Sequence, residues 1–331
     1  TAGAHVLMNT YETLVFYDKE DPKSFVPNLA ESYTVSDDGT VYTFKLRSGI
    51  KFHEGGDLTP SDVAYSFWRG ILQGGTASPQ WLLSEPFFGI GVDDVSVLVD
   101  PEGNLYDDRE GMKAADPARL TAACEKTMAA VVADDAAGTV TFTLAQPWAP
   151  FMATIAQTWG AVMDKEWVAA NGGWDGSCDT WADFYAMTSE ENPFTDKING
   201  TGPYKLAEWT PSEQIVLEAN AGYWRNDTTG PMWEDGPVGA PAISKVVIQS
   251  VDEWGTRFAM LQAGDADSVI VNPEDRPQVD PLVSEMCTYD GATLGFTCAP
   301  VDGAAEGGLR MYKGLPTTTR TDVFFNFNIA N

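Results

Sequence analysis

The chain has 331 residues, long for one hydrophobic core, so two lobes are the default expectation. Its 44% hydrophobic and 11% aromatic content indicates a folded protein, and no apolar run reaches the length needed to cross a bilayer. Lys plus Arg number 20 against 48 Asp plus Glu, a formal net charge of −28 that repels nucleic acid and anionic lipid and favours solubility in a salty exterior.

Thr1-Ala2-Gly3-Ala4-His5 has neither the basic start nor the apolar core of a signal peptide. Residues 10–17 read as the end of a helix running into a short strand. Ser36-Asp37-Asp38-Gly39 is a turn, with side chains that accept backbone bonds and a glycine for positive φ. Val41 to Leu46 alternates and is rich in β-formers, which predicts a half-buried strand. Leu58-Thr59-Pro60-Ser61-Asp62-Val63 is a helix start: Thr59 at the N-cap, Pro60 in the first helical position, Asp62 three after the cap.

Residues 92–137 hold the acidic runs Asp93-Asp94, Asp100-Pro101-Glu102 and Asp107-Asp108, and read as a solvated insertion carrying a helix over 117–132. Gly138 to Leu144 alternates as a second strand. Gln146-Pro147-Trp148-Ala149-Pro150-Phe151 then leads into a helix ending near Thr158, and 167–192 reads as loop with a short helix. In Asn199-Gly200-Thr201-Gly202-Pro203-Tyr204, two glycines and a proline force a turn into a hairpin of Tyr204–Trp209 with Gln214–Ala219. Further on, 243–251 is a strand, 253–264 a helix stopped by Gly264, 266–271 another strand and 321–328 a last one.

Four cysteines suit two disulfides in an oxidising compartment. Cys287 and Cys298 flank the turn-like Tyr289-Asp290-Gly291, which favours a local bridge and leaves Cys124 to pair with Cys178. Four buried thiols are the alternative reading. No CxxC suggests zinc or a redox centre.

The string P-x-L-A-E-S-Y-x-V-S-D-D-G-x-x-Y-T-F-x-L-R-x-G-I-K-F-H over 27–53, followed by L-T-x-x-D-V-A-Y-S-F over 58–67, resembles the extracellular solute-binding proteins of ABC importers, family 5. That family includes oligopeptide, dipeptide and nickel binders. The P-x-x-P-F helix start and the pair G-T-G-P-Y and N-x-x-Y-W (ending at Trp224) resemble the same family. The resemblance implies a mixed α/β fold: a type II periplasmic-binding-protein-like lobe with an inserted α+β subdomain. Residues 1–34 would open the lobe, 35–192 form the insertion, and 193–331 return to the lobe, with the second lobe absent from this chain. It also implies an extracytoplasmic monomer, periplasmic or a cell-surface lipoprotein, with no cofactor. Such a protein hands a peptide-like or other small solute to ABC permease subunits without covalent chemistry.

The residues offer little to an enzyme. Of two histidines, His53 stands alone at a turn and reads as structural, and no H-E-x-x-H, G-x-S-x-G or phosphate-binding loop occurs. A secreted acidic hydrolase using an unpatterned Asp/Glu pair is the alternative function. Asp100, Glu102, Asn104, Asp107 and Asp108 could chelate calcium, but the glycine is misplaced for an EF-hand, and no metal is expected. For ligand binding, the resemblance points to Trp81, after Thr76-Ala77-Ser78-Pro79, and to Trp159 as aromatic walls. It also points to Ala2, Gly3 and Ala4 as an extended piece able to pair with a ligand main chain.

Overall fold

The computed structural model describes residues 2–314 apart from 20, 77, 79–80, 90, 227–228, 234–235, 294 and 305–307; the side chains of Ala2, Pro22 and Trp81 are likewise left undescribed. The chain divides into two compact units, Thr1–Ser250 and Val251–Asn331.

The first unit opens on α1 (Ala2–Thr10). This corrects the expectation of an extended Ala2-Gly3-Ala4. Alanine is the best helix former, and Val6 and Thr10, one turn apart, are both buried, with the Thr10 hydroxyl donating to Val6 O at 2.9 Å. The antiparallel ribbon β1 (Val15–Asp18) and β2 (Asp21–Pro27) follows.

β3 (Ala30–Val35) and β4 (Val41–Leu46) are joined by the predicted turn. Gly39 has φ +70°, and Ser36 Oγ accepts the amides of Thr40 and Val41. Along β4, Tyr42, Phe44 and Leu46 face inward, as the alternation requires. α2 (Pro60–Gln73) begins with the expected capping box: Thr59 N donates to Asp62 Oδ2 at 2.8 Å, and Asp62 N to Thr59 Oγ1 at 3.4 Å. Its face of Val63, Ala64, Phe67 and Ile71 is buried.

α3 (Trp81–Phe88), α4 (Ser96–Val99), α5 (Arg109–Lys113) and α6 (Pro117–Ala130) lead to β5 (Val131–Asp134) and β6 (Thr139–Thr143). The four strands order β3-β4-β6-β5. Phe142 sits at the centre of the core, with Phe67 and Phe44 edge-on at centroid distances of 4.8 and 5.5 Å. The acidic insertion is not merely solvated. Val95, Val99 and Met112 are fully buried, and Asp94 accepts Gly75 N, Ser96 N and the Tyr185 hydroxyl. Its apolar residues, the short run Val95-Ser96-Val97-Leu98-Val99 and the single Met112, stand between acidic pairs whose charge dominates the composition.

α7 (Phe151–Ile155) and α8 (Lys165–Ala170) precede a segment with little regular structure that nonetheless buries Trp174, Trp181 and Tyr185. Cys178 in that segment is bridged to Cys124 of α6. β7 (Tyr204–Thr210), β8 (Gln214–Ala219) and β9 (Lys245–Gln249) form an antiparallel sheet in that order.

In the second unit, α9 (Trp254–Ala263) is capped by Glu253 and stopped by Gly264 at φ +80°. The strand expected over 266–271 does not form. Ile270 is 81% exposed, and no described strand pairs with this segment, so its β-propensity has nothing to act on. After α10 (Arg276–Val279) come β10 (Val283–Asp290), β11 (Gly295–Pro300) and β12 (Leu309–Lys313), ordered β11-β10-β12 with β12 parallel to β10. Cys287 and Cys298 face each other across the β10–β11 hairpin and are bridged. The strand expected over 321–328 lies outside the described residues.

Candidate ligand-binding site

The G-T-G-P-Y turn is the hub of the first unit. A Cβ on Gly200 would lie 2.1 Å from Thr10 O, and one on Gly202 2.6 Å from Asn9 O, so the end of α1 passes where any side chain would stand. Gly202 N donates to Thr10 O at 3.0 Å. His53 closes the other side: its amide donates to Gly200 O, and its Nε2 donates to Gly202 O at 2.9 Å. Burial lowers the His53 pKa and favours the neutral ring, the structural role expected of it.

Thr201, between the two glycines, points to Glu12, which is 6% exposed. The Glu12 carboxylate accepts from Thr201 Oγ1 at 2.8 Å, Tyr223 OH at 2.8 Å and Trp224 Nε1 at 2.6 Å. Burial raises its pKa against these three donors and the nearby Arg225. Burial and the Glu12 charge together raise the Tyr223 pKa. Arg225 donates to Asn28 Oδ1 at 2.8 Å and lies 4.5 Å above the Trp224 ring. Two motifs from distant parts of the chain thus converge on one carboxylate. A buried acid with a raised pKa can be catalytic, but here both carboxylate oxygens are already engaged, which favours a structural role. Sequence reading used these motifs as a fingerprint and missed their contact; the available signal was one acid amid the apolar Tyr11, Leu14 and Val15.

The acids singled out for calcium are engaged locally. Asp100 accepts the amides of Glu102 and Asn104, Asp107 binds Thr76, and Asp108 caps α5. A different trio, Asp62, Asp164 and Glu166, brings its oxygens within 4.8 Å of one another. Two of the three serve helix starts: Asp62 completes the capping box of α2 and also accepts from Lys165, and Asp164 caps α8, accepting from Trp167 and Asn199.

Beside the hub lie two cavities that share Leu7, Tyr11, Thr158 and Ala161. The smaller, 130 Å³, reaches Glu12, Phe16, Gln157 and Trp233. The larger, 600 Å³, falls in the size range of small-molecule sites. Its floor is Leu206, Trp209 and Ile215 of the β7–β8 hairpin, and its walls include Gly3 and Val6 of α1, Arg69 of α2, Phe194 and Lys197. A bulge decides the floor. The pairing of Leu206 with Leu217 and of Trp209 with Ile215 spans a register shift, which puts Leu206 and Trp209 on one face although they are three residues apart.

Of the residues expected to touch ligand, Gly3 lines the larger cavity, and Ala2 and Ala4 share its helix, their backbone helical rather than strand-like. Trp159 is half-buried in a 3-10 turn, Thr158–Gly160, whose neighbours Thr158 and Ala161 line both cavities while Trp159 lines neither. Trp81 opens α3, and its side chain is outside what is described. The aromatics that do line the larger cavity, Trp209, Phe194 and Tyr11, were not singled out by sequence.

Residues 24–297 match the family described as bacterial extracellular solute-binding proteins, family 5, middle part. The dipeptide-binding protein of Escherichia coli K12 is 28% identical over 282 residues, covering 82% of this chain and 41% of that protein. The glutathione-binding protein GsiB of the same organism is 28% identical over 276 residues, covering 83% and 39%. This chain therefore spans less than half the length of the curated relatives it matches. A periplasmic binding protein DppA from Helicobacter pylori, solved in complex with peptide STSA, superposes with a TM-score of 0.54 at 23% identity, covering 87% of this chain and 46% of that one. The hydrolase alternative finds no support in these matches. With more than half its length matched, the chain belongs to the bacterial extracellular solute-binding proteins, family 5.

Proposed function

We propose that this chain supplies one ligand-facing wall of an extracytoplasmic solute receptor, which delivers a peptide-like or other small solute to the permease of an ABC importer. The observation that carries this reading is the 600 Å³ cavity, with an apolar hairpin floor and a rim of polar and charged groups. Relatives named for dipeptide and glutathione binding make short peptides the first ligands to try. The division 1–34, 35–192 and 193–331, a monomeric state and a lipid anchor belong to the same proposal. So do Trp159 and Trp81 as aromatic contacts at the site's edge. Main-chain pairing through Ala2 to Ala4 would require the first turn of α1 to unwind, so Gly3 acts as a wall residue in this reading. Among the described residues no helix is long and apolar enough to cross a membrane.

The test is thermal unfolding with dipeptides, tripeptides and glutathione. A ligand at a hundredfold excess over its Kd stabilises by about 2.7 kcal/mol, which is readily seen as a rise in Tm. If peptides, sugars and metal chelates all leave Tm unmoved, the receptor reading fails.

A further inference from the structure

We propose that the 600 Å³ cavity seats an anionic group of the ligand, a carboxylate, and that the Arg69 guanidinium is its anchor. This rests on the receptor reading and goes further, by fixing the charge of the group that enters.

Three observations converge. First, among the described residues the cavity is lined by Arg69 and Lys197, and by no aspartate or glutamate, in a chain with 48 acids against 20 bases. An acid-free lining of that size is not what the average surface of such a protein provides.

Second, Arg69 alone among the described arginines has no oxygen acceptor. The others donate to carboxylates (Arg109, Arg276, Arg310), to backbone carbonyls (Arg47, Arg119, Arg257), or to Asn28 Oδ1 (Arg225). Arg69 instead directs one nitrogen at Met163 Sδ, 3.5 Å away, and lays its guanidinium 5.2 Å from the centroid of Phe194. Sulfur and a ring face hold the group in place while leaving most of its fork of donors uncommitted. Third, Met163 and Phe194 are themselves cavity walls, so the uncommitted donors are held where a ligand would sit. Desolvation lowers the Arg69 pKa with only the phenols of Tyr65 and Tyr11 opposing it, which agrees with a cation held short of a counter-ion. A carboxylate matches a guanidinium fork in plane and spacing, and a bidentate pair would satisfy it. Exposed Lys197 adds a second, flexible charge at the rim.

The experiment compares trialanine with trialanine amide, which differ in the terminal carboxylate alone. Binding is read by calorimetry and by tryptophan fluorescence, since Trp209 lines the cavity. Wild type is expected to prefer the free acid about tenfold or more, the effect of one charge-assisted hydrogen-bonded pair. In Arg69→Gln the ratio of acid to amide affinity should collapse towards one, while Arg69→Lys should restore part of it. Lys197→Gln, at an exposed position that cannot unfold the protein, should reduce the preference several-fold. Equal binding of acid and amide by wild type, or a preference that survives Arg69→Gln and Lys197→Gln, overturns the anion seat while leaving the receptor standing. If wild type retains neither peptide in a screen where other solutes also fail, the receptor reading falls and the anion seat with it.

Discussion

The Glu12 knot and the larger cavity are neighbours in the same unit, with the cavity wall Tyr11 next to Glu12 in the chain, yet they treat charge in opposite ways. In the knot a buried carboxylate is met by Thr201, Tyr223 and Trp224, and Arg225 stands close by. In the cavity a half-buried cation is met by a thioether and a ring face. A saturated polar cluster rigidifies the structure around it, whereas an unsaturated one leaves binding capacity for something that arrives later. The difference separates the frame of the site from the part of it able to bind.

The largest expected effect lies in the frame. Gly200→Ala sets a methyl against Thr10 O and should destabilise by about 4 kcal/mol or more, read as a fall in the urea midpoint with an unchanged slope. A near-neutral result would show that the hub can move aside. Next, Glu12→Ala orphans three buried donors and exposes Arg225 to an uncompensated burial, a loss of about 3 kcal/mol.

Glu12 also sharpens the comparison through pH. Its folded pKa lies above the ordinary value of 4.5, so the folded state holds the proton to higher pH than the unfolded chain does. The stability this group contributes is therefore complete below pH 4.5 and is lost as pH rises through the raised folded value. Subtracting the stability profile of Glu12→Gln from that of wild type should leave a difference that declines with pH above 4.5. A difference that rises would place the folded pKa below 4.5 and reverse the balance between burial and the three donors. The smallest effect belongs to the cavity. Phe194→Ala removes the ring under Arg69 and should weaken binding of a free-acid peptide several-fold, about 1 kcal/mol, with a Tm shift smaller than that of any change in the knot.

Legibility followed the range of the interactions. The 36–39 turn, the Thr59–Asp62 capping box, the 204–219 hairpin and the Gly264 stop were all readable, because each is decided by hydrogen bonds among residues a few positions apart. The family strings were readable too, being contiguous. The strand expected over 266–271 failed because a strand needs a partner, and its neighbours in sequence cannot supply one. The acidic insertion buries Val95, Val99 and Met112, although the acids on either side of the short 95–99 apolar run dominate its composition.

By itself, then, the sequence determined the mixed α/β class, the family, most local elements and the two cysteine pairings it favoured. Only tertiary structure decided the site. Glu12 finds its donors 189, 211 and 212 residues away. Leu206 and Trp209 share a cavity floor because a bulge, set by pairing with β8, breaks the alternation their spacing implies. Arg69 is left without an oxygen partner by what packs around it, which no local pattern records. Hydrogen bonds between near neighbours are written into the order of residues, but the surroundings of a side chain are set by whichever distant segments fold against it.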